Sequence, residues 1–354
     1  MGGSVGLKGT DGDETLREAV ARGAQKVSPA RTVAALVEMK KRRMNLQFLT
    51  ADGEMGRDEL TEAGLEATVV DKPSSPSSRD DTARTAMLLA EEGVDLLLFA
   101  GGDGTARDIV GMIDARAPIL GIPAGVKMHS SVFALTPQKA ADAVEAFEKH
   151  RRVRDGEVMD VDEVGVRSGV VRAKLFGVAK IPDDSSSIQS TKDAYHSGDA
   201  DDEAEELGAY LAENMASDTY YVLGPGTTTA AVAKHLGVEK TILGVDAYLN
   251  RSIVLRDASE KDLLGLLGTG RPAKIFVSPI GAQGFFFGRG NQQISPDVIR
   301  LVGADNVIVI ATPTKLAATA ELRVDTGDPD LDAAFRGRIK VVTGYGRRRL
   351  VGVT

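Results

Sequence analysis

One stretch constrains the fold more than any other: Val94-Asp95-Leu96-Leu97-Leu98-Phe99-Ala100, running straight into Gly101-Gly102-Asp103-Gly104-Thr105 and then Ala106-Arg107-Asp108-Ile109-Val110. Near-continuous apolarity marks a strand buried on both faces, so it needs cover on both sides. The glycines then turn the chain into a helix. The same alternation extends from the start to about residue 150, with helical patterns at 14–24, 30–42, 82–92, 105–115 and 137–150. Strand candidates lie between them at 46–50, 67–70, 94–100 and 119–122. Strand and helix in turn predict a parallel α/β sheet. Thr136-Pro137 opens the last of these helices with a capping hydroxyl and a proline at its first position.

After Arg151-Arg152-Val153-Arg154 the pattern changes to short β-type runs at 157–166 and 170–181, joined by Arg167-Ser168-Gly169, which predicts a hairpin. The stretches 182–187 and 197–206 are polar and acidic, with little apolar surface to offset ordering entropy, and predict a mobile loop passing into a helix near 204–214. Strand-like runs return at 220–223, 241–245, 274–277, 307–310 and 338–342, with helical segments at 229–236, 260–267, 296–302 and 315–321. We therefore expect two domains, residues 1–150 and 151–354. Length agrees, because single cores stop growing near ~250–300 residues and the chain has 354. The chain opens directly on the glycine-containing Gly2-Gly3 segment, where a doubly wound domain opens with a strand, so the first strand is expected to be missing.

Composition excludes several function classes. Hydrophobic residues make up 42% and charged residues 27%, and no run approaches the ~20 apolar residues of a membrane span. There is no cysteine for a disulfide or a thiolate metal site, and the four histidines fall in four separate segments, so no metal centre is expected. A net charge of -8 opposes nucleic-acid binding; the runs Lys40-Lys41-Arg42-Arg43 and Arg347-Arg348-Arg349 read as solvated surface. The N-terminus has no secretory core, which makes the cytoplasm the expected location.

Four loops can do chemistry. The turn at Gly101, Gly102, Gly104 and Thr105 sits at the carboxyl end of a buried strand, where open sheets bind ligands and a helix N-terminus offers N–H groups to phosphate. Its glycines permit close approach or positive φ, and Thr105 can cap the helix. Asp103 is the informative residue, since a pure phosphate cradle has no use for a carboxylate. It can accept the proton of an attacking hydroxyl, help to position Mg²⁺, or simply cap N–H groups. A second loop of similar build, Gly224-Pro225-Gly226-Thr227-Thr228-Thr229, offers amides and hydroxyls to another phosphate or is a helix start capped by threonine. The third, Pro118 to Lys127, leaves a predicted strand and brings Gly125 beside the first loop, with Lys127 either reaching a phosphate or lying on the surface. In the fourth, Gly281 to Gln293, the aromatics Phe285-Phe286-Phe287 can stack a base or form a core at a domain interface.

At Phe99-Ala100-Gly101-Gly102-Asp103-Gly104-Thr105-Ala106-Arg107-Asp108 the chain resembles the ATP-NAD kinase family, most closely the branch with the acetoin-catabolism X protein and polyphosphate/ATP-NAD kinases. The resemblance includes the 120–125, 224–229 and 288–293 segments. It implies a Rossmann-like N-terminal domain and a β-rich second domain. It also implies Asp103 as the group that polarises the acceptor hydroxyl, Gly101, Gly102, Gly104 and Thr105 as holders of donor phosphates, and Gly224, Gly226, Thr227, Thr228 and Thr229 as nucleotide contacts. ATP with Mg²⁺ held through its phosphates, or polyphosphate, would be the donor; the 2′-hydroxyl of NAD would be the acceptor, giving NADP. Homo-oligomers are common in the family.

Two departures stand out. The strand and the Asn-Pro loop that precede the glycines in relatives are not in this chain, and where NAD kinases carry an Asn-Glu pair it reads Ala173-Lys174-Leu175-Phe176-Gly177-Val178. Other acceptors, a sugar, polyol or lipid, therefore stand beside NAD. So does a non-catalytic regulator that senses a nucleotide or sugar phosphate, on the strand–loop–helix–strand pattern of 220–245.

Overall fold

The computed structural model describes residues 2–7, 13–125, 128–161, 173–189, 198–280, 283–319 and 321–354. It divides into two compact units, one of Gln25–Thr191 and one of Gly2–Ala24 with Lys192–Thr354. This differs from the division expected at residue 150 at both ends. The opening segment sits with the second unit, where Glu260 N–H donates to the Ser4 carbonyl (2.8 Å) and Gly3 packs so closely on Gln292 that a Cβ would meet its side chain at 2.9 Å. The hairpin after residue 150 stays with the first unit because it packs on the helix that follows the glycine turn.

In the first unit the elements are α2 (Ser28–Lys41), β1 (Phe48–Ala51), α3 (Arg57–Glu62), β2 (Ala67–Asp71), α4 (Arg79–Glu91), β3 (Leu97–Gly101), α5 (Asp103–Ile113), β4 (Ile119–Pro123), α6 (Pro137–His150), β5 (Val153–Val161) and β6 (Ala173–Pro182), with α1 (Asp13–Ala21) preceding them in the chain. β1 pairs with β2 and β3 with β4, both parallel, and β5 with β6 antiparallel. Helices α2 and α6 pack together and onto β4, while α4 and α5 pack together and onto β3. The predicted buried strand is therefore shifted: Leu97 is its first paired residue, with its N–H on the Pro118 carbonyl at 2.9 Å, and Gly101 is its last. Thr136 caps α6 as expected, its hydroxyl accepting from Lys139 N–H.

The expected mobile stretch after residue 182 is built into this unit instead. Leu135 N–H donates to the Ser187 carbonyl at 2.8 Å, Gln189 N–H donates to the Phe133 carbonyl at 2.9 Å, and Ile188 is buried. A single buried isoleucine and a backbone bridge hold it against the sheet, a contribution that local composition does not reveal. The turn expected at 167–169 lies outside the described residues.

The second unit holds α7 (Gly198–Glu213), β7 (Tyr220–Leu223), α8 (Thr227–His235), β8 (Asp246–Leu249), β9 (Ser252–Leu255), α9 (Glu260–Leu267), β10 (Ala273–Val277), β11 (Phe285–Phe287), α10 (Pro296–Val302), β12 (Val307–Val309), α11 (Pro313–Ala317), β13 (Arg323–Val324), α12 (Pro329–Phe335), β14 (Gly337–Gly344) and β15 (Arg347–Val353). Its main sheet has the order β12-β10-β7-β8-β9, the first three strands parallel. Alternation along β7 sends Tyr220 and Val222 into one core with Leu263 and Val298, and Tyr221 and Leu223 into another with Leu207 and Val232. The period of two thus buries both faces, one under α9 and α10 and the other under α7 and α8.

Three expectations change here. Residues 241–244 form a turn, not a strand, because the buried Asp246 carboxylate accepts from Thr241 N–H (2.8 Å) and Asp257 N–H (2.7 Å), and Lys240 binds the Thr241 and Gly244 carbonyls. α7 begins at Gly198, ahead of the expected 204. The basic run 347–349 is one exposed edge of the β14–β15 hairpin, so it is solvated as predicted, whereas Arg42 in the other run is half-buried and pairs with Glu38, Asp142 and Glu145.

β4 is the most tightly packed strand of the first unit. A Cβ on Gly121 would lie 2.3 Å from Phe133 Cδ1 and 2.9 Å from Phe99 Cζ, two rings that meet edge to face at 5.5 Å. Gly121→Ala is expected to destabilise the first unit by about 1–3 kcal/mol through overpacking. Adding Phe133→Leu should recover part of the loss, measured as urea-unfolding midpoints.

Candidate active site

β3 ends at Gly101, Gly102 is the N-cap in extended conformation (φ -126°, ψ -166°), and α5 starts at Asp103. The turn is thus a single residue. Two expectations are corrected: Thr105 lies inside the first helical turn and does not cap it, and none of Gly101, Gly102 and Gly104 has positive φ. Glycine is required at this turn by proximity. A Cβ on Gly101 would sit 2.4 Å from Thr105 Oγ1, and one on Gly125 would sit 3.1 Å from Gly102 Cα. The N-cap has no side chain to cover the first-turn N–H groups of an 11-residue helix, the arrangement that suits an anion.

The loop leaving β4 does lie beside the first. Ala124 and Gly125 N–H groups both donate to the Gly101 carbonyl, at 3.0 and 3.1 Å. Lys127 falls outside the described residues.

Asp103 is half-buried, and three donors converge on its carboxylate. Oδ2 accepts from His129 N–H at 2.8 Å; Oδ1 accepts from Ser130 N–H at 2.9 Å and from the Ser130 hydroxyl at 2.5 Å. Ser130 Oγ in turn accepts from Met159 N–H (2.9 Å), and its carbonyl accepts from the Gln189 amide. Burial pushes the Asp103 carboxyl above the ordinary carboxylate range, against the pull of the Ser130 and His129 donors. A carboxylate offers about four acceptor positions, and three are occupied here. What remains is a half-buried base of raised proton affinity at a helix start beside close-packed glycines.

Sequence reasoning missed His129 and Ser130. A signal existed, since Met128-His129-Ser130-Ser131 places polar residues directly before the apolar Val132-Phe133-Ala134-Leu135. Nothing in that order says which carboxylate they meet.

The second loop lies in the other unit. Gly226 is its N-cap (φ 117°, ψ 164°), a backbone that disfavours any Cβ, and its N–H donates to the Ile242 carbonyl at 2.8 Å. Thr228 and Thr229 are buried, and the Thr229 hydroxyl binds the carbonyls of Gly224 (2.6 Å) and Gly226 (2.9 Å). Thr229 therefore braces the turn from within, and no threonine supplies a cap at Gly226. Thr227 is the exposed hydroxyl of the three.

Phe285, Phe286 and Phe287 are fully buried in the second unit, Phe286 and Phe287 packed on Phe335, so none of the three offers a ring face to a base. Arg289 is buried with them, paired to Asp325 at 3.2 Å and set over the Phe285 ring at 4.7 Å.

Ser130→Ala removes one donor from a half-buried carboxylate, with an expected loss of about 1–3 kcal/mol of stability. It should also raise the Asp103 carboxyl further, read as an upward move of that group's titration by NMR; an unmoved titration would show that the hydroxyl does not govern Asp103.

Two family models match the chain, the ATP-NAD kinase N-terminal domain over residues 20–152 and the ATP-NAD kinase C-terminal domain over residues 216–353. Searches of curated proteins and of solved structures found no match. No helix among the described residues is long and apolar enough to cross a membrane. The two matches follow one another in family order, on either side of the segment that links the units, and identify an ATP-dependent kinase: the chain belongs to the ATP-NAD kinase family.

Proposed function

We propose that the protein transfers the γ-phosphoryl group of ATP to the 2′-hydroxyl of NAD, with Asp103 as the base. The observation that carries the reading is the carboxylate of Asp103, half-buried at the start of α5 and raised in proton affinity, one residue from the Gly101–Gly102 backbone. The acceptor hydroxyl gives its proton to Asp103, its oxygen bonds the γ-phosphorus, and the bond to the β-phosphate oxygen breaks to release ADP. The uncovered N–H groups that follow Gly102, with Gly125 packed against that residue, suit the donor phosphates, and Thr227 with the Gly224–Gly226 backbone suits nucleotide. Mg²⁺ carried in on those phosphates would supply charge neutralisation there. Held in that way, it needs no carboxylate cage of its own.

NAD is the first acceptor by family, although β6 carries Ala173-Lys174-Leu175-Phe176 where an Asn-Glu pair would hold a dinucleotide. Polyphosphate is the second donor to test. Action in the cytoplasm and a homo-oligomeric assembly belong to the same proposal.

NADP formation from ATP and NAD, without phosphorylation of a sugar, polyol or lipid panel, is the expected result; labelling of another acceptor alone would replace NAD. Asp103→Asn should lower turnover by about 10²–10⁴-fold, the usual contribution of a general base, while nucleotide affinity changes little. The acid limb of kcat should lie above the ordinary carboxylate range, because a base with raised proton affinity is lost as pH falls through that raised value. A limb near the ordinary aspartate value would remove Asp103 from this role.

A further inference from the structure

The kinase reading gives no part to Lys315 of the second unit, which stands in α11 and is half-buried. Its Nζ donates to Ser278 Oγ at 3.0 Å and, among the described residues, forms no ion pair. The carboxylate that reaches this helix, Glu203 of α7, is held through both oxygens by Thr314, from its N–H and its hydroxyl, each at 3.0 Å. A half-buried ammonium whose side-chain partner is a neutral hydroxyl is better satisfied when an anion completes it. Burial alone lowers its proton affinity to about 8, with no acid to raise it.

Its place in the sheet is the second observation. Ser278 is the first residue past β10, whose parallel register sets Phe276 beside Leu223 and Val277 beside Val309. The backbone continues the pairing past both edges: Gly224 N–H donates to the Phe276 carbonyl (2.9 Å) and Ile310 N–H to the Val277 carbonyl (2.8 Å). Ser278 therefore sits between the Gly224–Gly226 turn and the 310–312 turn that leads into Lys315. Ligands bind at this carboxyl edge of parallel strands.

We propose that Lys315 and Ser278 form an anion-recognition pair at the carboxyl edge of β7, β10 and β12, and that they take a phosphoryl group of a ligand. This rests on the phosphoryl-transfer reading only for the class of ligand. The pair lies beside the Gly224–Thr229 loop, so the same edge contributes a charged partner that the loop itself lacks.

The test titrates the full chain, by calorimetry, with tripolyphosphate, ATP and NAD, and compares Lys315→Met, Lys315→Arg and Asp103→Asn. Loss of a charge-assisted hydrogen bond should weaken binding by about tenfold or more in Lys315→Met, with Lys315→Arg restoring most of it. Loss against tripolyphosphate and ATP assigns the pair to the donor, and loss against NAD alone assigns it to the acceptor. Equal affinities in wild type and Lys315→Met, or no binding of any probe by wild type, overturn the proposal. Should Lys315→Met fail to fold, labelling of wild-type lysines with trinitrobenzenesulfonate decides: Lys315 is expected to react and to be protected by tripolyphosphate, and labelling unaffected by it rejects the pair. Asp103→Asn separates the two ideas, because a dead enzyme that still binds through Lys315 sustains this inference, whatever becomes of Asp103 as base.

Discussion

The first unit depends on one close approach of backbone to backbone. Gly125 meets Gly102 so closely that a Cβ on Gly125 would lie 3.1 Å from Gly102 Cα, and the Gly101 carbonyl accepts from both Ala124 and Gly125. This contact brings the exit of β4 beside the exit of β3. It also leaves the start of α5 without a covering side chain, so the helix presents its N–H groups at the mouth of the two strands. Glycine serves here by its absence of bulk, and its left-handed freedom is not used.

That contact also sets the electrostatics of Asp103. With the β4 exit held against β3, residues 128–131 pass over the first turn of α5 and deliver the Ser130 hydroxyl and two backbone N–H groups to the carboxylate. Two opposing effects act on it. Three donors favour the ion and burial favours the acid; burial wins. Ser130 ties the result to the rest of the unit, through Met159 of β5 and through Gln189. The hairpin and the segment after it, the latter expected from composition to be mobile, stand behind the candidate base through Met159 and Gln189.

The second unit solves a different problem. Its central strand β7 is buried along its whole length, and polar groups gather at the strand ends, where Thr229 closes the Gly224 turn and Lys315 meets Ser278. A further polar pair, Arg289 with Asp325, is buried away from that edge beneath Phe285. It holds the 288–293 segment, in which Asn291 binds both the Gly288 N–H and the Phe286 carbonyl. Resemblance in that segment thus reflects architecture around three core phenylalanines.

Local pattern by itself determined a good deal. The spans of α6, α9 and α10 and of β7 follow from helical spacing, caps and apolar runs, as does the strand–turn–helix unit that carries Asp103. The family, too, was legible from short motifs. Tertiary structure alone decided the rest. Residues 241–244 look like a strand because Ile242 and Val245 are apolar, yet a buried Asp246 draws the backbone into a turn. Thr229 and Thr227 are chemically alike in the sequence, and only the fold turns one inward and leaves the other at the surface. His129 and Ser130 come to Asp103 from 26 and 27 positions away, Gln189 comes to Ser130 from 59, and Ser278 comes to Lys315 from 37. The reason is physical: periodicity records which face of an element is buried, whereas hydrogen bonds between elements depend on where distant strand ends are brought together.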